Sequence, residues 1–347
     1  MEKSKTLLVT REYFEKKWFI NSCNFIKYVN HPVVLNRKIN IPIVIVSSGP
    51  SLRDALPVIK MYRNRIFVLC LSSAIKVCIS NDIIPDLCMS TDGGFWAGEH
   101  LKSLYLNDIP LALALEGFCP KALLGSHKIL PLVYNDNISH EIALKTKLPF
   151  MHGERNGTVS GTALVFALEN STGSVYICGM DMSNQRGYQH CQPNEIELDN
   201  SVKDYKLKSR EQRISQSEYS KGVLSIYREW FDSFELKNRK VYRIINKEYK
   251  KNKLGYIKDI NTYDFKNELS LINKDSGKND YFNEARYRKD LLSLKEYLRI
   301  LMESDQWKKN IFPLSMTSLR HNPDNADIVN RLEKEQSNLF RKIENIF

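Results

Sequence analysis

No apolar run in the 347-residue sequence approaches the roughly 20 residues that a bilayer-crossing helix needs. The N-terminus, MEKSKTLLVTREYFEKKWF, lacks the apolar stretch and small-residue cleavage site of a signal peptide. Without a leader or a span, the expected setting is the cytoplasm. Cysteine is sparse and unpatterned. The seven thiols form no CxxC pair, and their odd count excludes a simple disulfide framework. Cys70, Cys78, Cys88 and Cys178 lie in or beside apolar stretches, which predicts buried, reduced thiols without a metal. The glycines form neither GxGxxG nor a Walker loop. No nucleic-acid-binding motif accompanies the basic residues.

What is present is ordinary globular material, 42% hydrophobic and 26% charged, enough for a sizeable core. The net charge is +11. Residues 1–190 carry 20 basic and 15 acidic residues, and the rest carry 31 and 25. The surplus is therefore spread along the chain and is not a tail. It favours anionic ligands such as nucleotides, and also nucleic acid or membrane headgroups.

Residues 1–40 read as a basic helical lead-in with Trp18, Phe19, Phe25, Ile26 and Tyr28 as packing residues. From 41 the pattern changes. Short apolar runs at 41–47, 65–73, 86–92, 109–116, 127–134 and 174–181 read as buried strands. Helical periodicity separates several of them, at 52–63, 74–83 and 158–171. Continuous apolar strands alternating with helices predict a doubly wound, mostly parallel Rossmann-like α/β sheet. Its extent is read as 41–260, with a polar loop over 191–217, a helix over 218–236 and a further strand at 240–249. The region 265–347 reads as helical, from Leu291, Leu294, Leu298 and Leu301 and later Leu332, Leu339 and Ile343.

Four polar segments follow strands. Ser47-Ser48-Gly49-Pro50-Ser51 ends the first strand and opens a helix. Glycine permits close backbone approach, and the helix-start amides suit a phosphate. A tight turn with no ligand fits the same residues. Asp92-Gly93-Gly94-Phe95-Trp96 ends another strand. Asp92 there suits a ribose hydroxyl, a metal ion or a substrate hydroxyl, and Trp96 suits stacking on a base or sugar; a helix cap with a glycine turn is the alternative. Gly157, Thr158, Ser160 and Thr162 lead into an apolar helix and, like Arg155 before them, suit an anion or plain capping. Gly179-Met180-Asp181 ends a fourth strand, and His190 follows as a candidate acid or base near neutral pH. Parallel strands bring such ends to one edge, where a nucleotide site is expected.

As a set these stretches resemble the 6-hydroxymethylpterin diphosphokinase MptE-like domain, shared with the motility-associated-factor glycosyltransferases. The lead-in Lys17-Trp18-Phe19-Ile20-Asn21, Ile84-Pro85-Asp86 and the strand Val241–Ile245 are also similar. The resemblance covers roughly 10–260. It implies transfer of a nonulosonic sugar from a CMP-linked donor to a protein acceptor such as flagellin, with no cofactor required. It alternatively implies transfer of diphosphate from ATP to a pterin alcohol with magnesium, held by Asp92 and Asp181. A non-catalytic nucleotide-binding or scaffold protein is the third reading. Under the resemblance, Ser48 to Ser51 hold the nucleotide phosphates, and Asp92 and the 157–162 turn complete the pocket. His190 sits in a Tyr-Gln-His-Cys context that departs from the family's usual small residues. The N- and C-terminal additions favour the transferase with a protein acceptor.

Overall fold

A computed structural model gives the fold, and it describes residues 2–136, 138–182, 188, 190–212, 223–249, 251–272 and 280–347. The strands are β1 (His31–Leu35), β2 (Ile43–Val46), β3 (Phe67–Leu71), β4 (Leu87–Ser90), β5 (Leu111–Ala114) and β6 (Lys128–Val133). They continue as β7 (Met151–His152), β8 (Val175–Cys178), β9 (Val241–Ile244), β10 (Lys258–Ile260) and β11 (Phe282–Glu284). All join one sheet in the order β10-β9-β8-β2-β3-β4-β5-β6-β1-β11, with β7 beside the end of β6. Every pairing is parallel except β1 with β11.

The expected doubly wound α/β sheet is therefore what forms, and alternation along the strands explains it. Ile43 and Ile45 pack on one face of β2, with Leu69, Met89 and Ile177 from its neighbours. Val44 and Val46 pack on the other, with Val68, Cys70, Cys88 and Cys178. Both faces are apolar, so both need covering. The helix Val159–Asn170 covers the first through Ala163, Leu164, Phe166 and Ala167. The helices Glu2–Tyr28 and Leu52–Met61 help to cover the second. Each fully buried Ile, Leu or Val contributes roughly 1.5–3 kcal/mol. The seven cysteines are buried and free, as expected.

Four short strands escaped the sequence reading: β1, β7, β10 and β11, of which β7 is only two residues long. β1 lies inside the segment read as helical; Pro32 stops the preceding helix, and Val33-Val34-Leu35 is too short to announce a strand. β10 and β11 are three residues each and lie on or near the rims. The polar segment after 191 also differs from a plain loop, because Glu195–Ser201 is helical. Asn194 caps it by accepting from the amides of Ile196 and Glu197 at 3.2 and 3.4 Å. Residues 213–217 of that segment, and 218–222 of the helix expected after it, lie outside the described residues. The remainder of that helix is Val223–Ser233.

The C-terminal helices Leu291–Glu303, Asp305–Ile311, Pro313–His321 and Ala326–Ile346 make the expected helical addition. Trp307, fully buried, meets Phe19 and Phe312 at ring-centroid distances of 5.6 Å. Glu12 accepts from the amides of Leu314 and Ser315, which ties the first helix to this layer. Among the described residues, no helix is long and apolar enough to cross a membrane.

Candidate functional site

The strand order reverses between β2 and β8. In a doubly wound sheet, ligands bind at such a switch point, beyond the carboxyl ends of the strands. Register places those ends together, since Val46 pairs with both Cys70 of β3 and Cys178 of β8. Ser47–Ser51 and Gly179–Asp181 therefore meet. The Ser47 amide donates to the Cys178 carbonyl at 2.8 Å, and the Gly49 amide to the Gly179 carbonyl at 2.7 Å.

The glycines here are dictated by this contact. A Cβ on Gly49 would lie 2.4 Å from the Gly179 carbonyl oxygen. Gly179 has φ +70°, and its Cβ would lie 2.2 Å from the Ser47 carbonyl oxygen. Close approach at Gly49 is thus taken by the chain's own backbone. Ser51 does not cap the helix that follows it. Its amide donates to Asp181 Oδ2 at 3.0 Å, and its hydroxyl donates to the other carboxylate oxygen. Burial pushes the Asp181 carboxyl up, and Ser51 and Arg243 pull it back. Arg243 is fully buried; it grips Asp259 through two bonds of 2.7 and 3.0 Å and donates to the Met180 carbonyl at 3.2 Å. Asp181 therefore positions the Ser51 turn. Pro50, half-buried, lies between Gly49 and Ser51 in that turn.

Ser48 is the hub of a second network. Its hydroxyl lies 2.8 Å from His190 Nδ1 and accepts from the Ser73 hydroxyl at 2.9 Å. The Cys191 amide donates to the Ser48 carbonyl at 2.6 Å. Asn194 Nδ2 donates to the Ser73 carbonyl at 2.9 Å, which fastens the His190 segment to the end of β3. The His190 ring makes an edge contact with His100, centroid to centroid 6.0 Å. Burial and the His100 neighbour depress His190 to about 4, opposed by Glu197. Burial also lowers His100, opposed by Asp92. Both imidazoles are therefore neutral at pH 7. Three buried polar atoms at this edge have no hydrogen-bond partner among the described residues: Ser47 Oγ, Ser90 Oγ and His100 Nδ1. Buried polar atoms normally find one, so these three are ready for a ligand.

This burial makes stability pH-dependent. The unfolded His190 takes its proton near 6.5, the folded one only near 4. Protons then favour the unfolded chain, so stability is full above pH 6.5 and falls as pH drops toward 4. The expected loss is up to about 3 kcal/mol. Urea midpoints at pH 7 and 4.5 should separate less in His190→Gln than in the unsubstituted chain; equal separations would contradict the burial of a neutral His190.

Asp92 is exposed and accepts from the Gly94 amide at 2.9 Å, in the turn before the helix Phe95–His100, whose N-cap is Gly94. Its charge is felt at His100 and at Tyr227. Gly93 faces the protein: a Cβ there would lie 2.6 Å from Trp18 Cδ1. Asn21 Nδ2 donates to the Gly93 and Glu116 carbonyls at 3.2 and 2.8 Å. Trp96 is exposed beside the site. Gly157, with φ +83°, lies beside Tyr227. Thr158 Oγ1 accepts from the Gly161 amide at 2.9 Å as the cap of the next helix. Thr162 Oγ1 donates to the Glu154 carbonyl at 3.0 Å, and Ser160 is buried. Arg155 meets the chain's own carboxylates, Glu116 at 2.7 Å and Asp136 at 2.8 Å, between the rings of Trp18 and Tyr134.

The structure thus brings Ser47, Ser48, Ser51, Asp181 and His190 into one connected group, with Asp92 near it through His100. Gly93 and the hydroxyls of Thr158 and Thr162 make packing or capping contacts within the chain. Sequence reading missed Ser73, His100, Asn194 and Tyr227. Ser72-Ser73 ends β3 as Ser47-Ser48 ends β2, and that likeness was a usable signal.

A curated protein of Treponema pallidum (strain Nichols), described only as uncharacterized, is 28% identical to this chain over 240 residues. The match takes in 68% of this chain and 51% of the relative, so the chain spans about half of that relative's length. The solved structure of a MAf glycosyltransferase from Magnetospirillum magneticum AMB-1 is similar with a TM-score of 0.51 at 13% identity, over 96% of this chain and 58% of that one. That likeness is one of fold. Residues 17–187 match the family model described as 6-hydroxymethylpterin diphosphokinase MptE-like, a span that holds both loops of the switch point. Through this segment, just under half of its length, the chain is similar to the MptE-like family.

Proposed function

We propose that the chain is a cytoplasmic glycosyltransferase that moves a nonulosonic sugar from a CMP-linked donor to a hydroxyl of a protein such as flagellin. The observation that carries this reading is the cluster of unpartnered buried atoms, Ser47 Oγ, Ser90 Oγ and His100 Nδ1, beside a neutral His190 at the switch point. The fold it shares with a MAf glycosyltransferase supports the reaction class.

The chemistry needs a base and a cradle for charge. In the tautomer whose Nδ1 donates to Ser48, His190 Nε2 carries a lone pair. It takes the proton of the acceptor hydroxyl as that oxygen attacks the anomeric carbon. The bond from that carbon to the CMP phosphate breaks, and CMP leaves with the electron pair. Hydroxyls at Ser47 and Ser48 stabilise the departing phosphate by hydrogen bonding, and Ser73 holds Ser48 in place by donating to it. Ser51 and Asp181 hold the loop that presents them.

The family description favours a second reading, diphosphate transfer from ATP with magnesium. A magnesium ion would need carboxylates free to ligate it. Asp181 is engaged by Ser51, and Asp92 by the Gly94 amide. Among the described residues, no group of three or more His, Cys, Asp or Glu side chains is placed to hold a metal. The residues present do not fit the ion.

The test is release of CMP from a CMP-linked nonulosonic acid in the presence of a hydroxyl-bearing flagellin acceptor. Acceptor-dependent release with incorporation of sugar is expected. Release of AMP from ATP with a pterin alcohol, and no release of CMP, would replace this reading with the second.

A further inference from the structure

A cavity of about 880 Å³ lies far from the switch point. One wall is Lys145 to Lys147, at and just past the end of the helix that follows β6. The other is Arg288 to Leu294, at the start of a C-terminal helix. Lys289 fixes its position. Its ammonium donates to the Lys27 carbonyl and to Asn30 Oδ1, both at 2.9 Å, just before β1 begins. The cavity is therefore at the amino-terminal edge of the parallel strands, opposite the candidate site.

Its charge is one-sided. Lys145, Lys147, Arg288 and Lys289 line it, against one carboxylate, Asp290. Asp290 is engaged as a helix cap and accepts from the Ser293 amide at 3.0 Å. Among the described residues, none of the four cations is in an ion pair. The ammonium of Lys289 has only neutral acceptors, and burial lowers its affinity for the proton. Lysine and arginine charges in a concave wall focus their field on whatever enters. An arginine fork adds paired bonds to phosphate oxygens. The helix start adds little, because its cap is already made.

We propose that this cavity binds a ligand bearing a chain of phosphates, at a site separate from the switch point. Nucleoside triphosphate and inorganic polyphosphate share that chemistry. The cavity volume fits a nucleotide-sized molecule.

The test is calorimetric titration of the full chain at 0.15 M salt with tripolyphosphate, ATP and a glutamate-rich peptide. The informative variant is Lys147→Asn with Arg288→Gln. Both residues are exposed, and asparagine tolerates the φ of +54° found at Lys147. Tripolyphosphate is expected to bind the unsubstituted chain and Ser48→Ala alike, and at least about tenfold more weakly to the double variant. Lys289→Met should weaken it as well, which guards against a folding defect peculiar to the double variant. Tighter binding of ATP than of tripolyphosphate would assign the site to a nucleotide; equal binding would assign it to the phosphates alone. No tripolyphosphate binding, binding unchanged in both variants, or binding of the peptide alone would overturn the proposal. Ser48→Ala separates this outcome from failure of the transferase reading, since only the switch-point site should respond to it.

Discussion

Gly179→Ala is expected to destabilise the chain by about 3 kcal/mol or more and to remove nucleotide binding at the switch point. Two effects add. The residue sits at φ +70°, where an L side chain costs roughly 1–2 kcal/mol. The new Cβ would also lie 2.2 Å from the Ser47 carbonyl oxygen, and backbone cannot swing aside as a side-chain tip can. Forcing an atom into a packed site typically costs a further 1–3 kcal/mol, or about that. The displaced atoms belong to the loop that carries Ser47 and Ser48, so binding should fail along with stability. Urea unfolding and CMP titration of the same variant check both. A variant as stable as the parent, still binding CMP, would mean that the two loops do not pack as described.

His190→Ala should lower kcat by about 10²–10⁴-fold, the usual worth of a positioned base. The KM for the donor should change far less, because the serine hydroxyls proposed to hold its phosphate remain. Ser48→Ala should act on both, since Ser48 meets His190 Nδ1 at 2.8 Å and is proposed to hold the phosphate. The pH profile distinguishes a base from a merely structural histidine. With His190 depressed to about 4, kcat/KM should be flat from pH 6 to 8 on its acid side and fall only near 4. An acid limb near 6.5 would show an exposed, ordinary imidazole. Unchanged kcat in His190→Ala would remove it from the reaction.

Much of the fold was legible because buried parallel strands leave an unmistakable trace. Ile43–Val46, Phe67–Leu71 and Val175–Cys178 are continuous apolar runs, and all became central strands. What escaped was short or marginal. β11 needs β1 beside it, and β1 is hidden after a long helix; neither has enough residues for a period to show. The helix Glu195–Ser201 was legible in principle, since Asn194 precedes Glu195 and Glu197 in the first turn, a capping pattern with charge matched to the helix dipole.

The site was legible in its parts and less so in its connections. Polar strand ends in a parallel sheet must share an edge, so residue type and position nominate Ser48, Asp92, Asp181 and His190 as candidates, and the structure places Ser48, Asp181 and His190 in one connected group. Roles depended on distances that no spacing encodes. Gly93 looks like room for a ligand and is room for Trp18, which arrives from 75 positions earlier. Arg155 looks like an anion receptor and is closed by Glu116 and Asp136. His100 ends a short helix, and nothing local marks it as the partner of His190.

The most direct test is a thermal shift with CMP and ATP, each with and without magnesium, on the full chain and on Ser48→Ala. A ligand at 100 times its Kd stabilises by about 2.7 kcal/mol, an easily read rise in Tm. CMP is expected to raise Tm without magnesium, and Ser48→Ala to lose that rise. Stabilisation by ATP with magnesium alone, or by neither nucleotide, would contradict it.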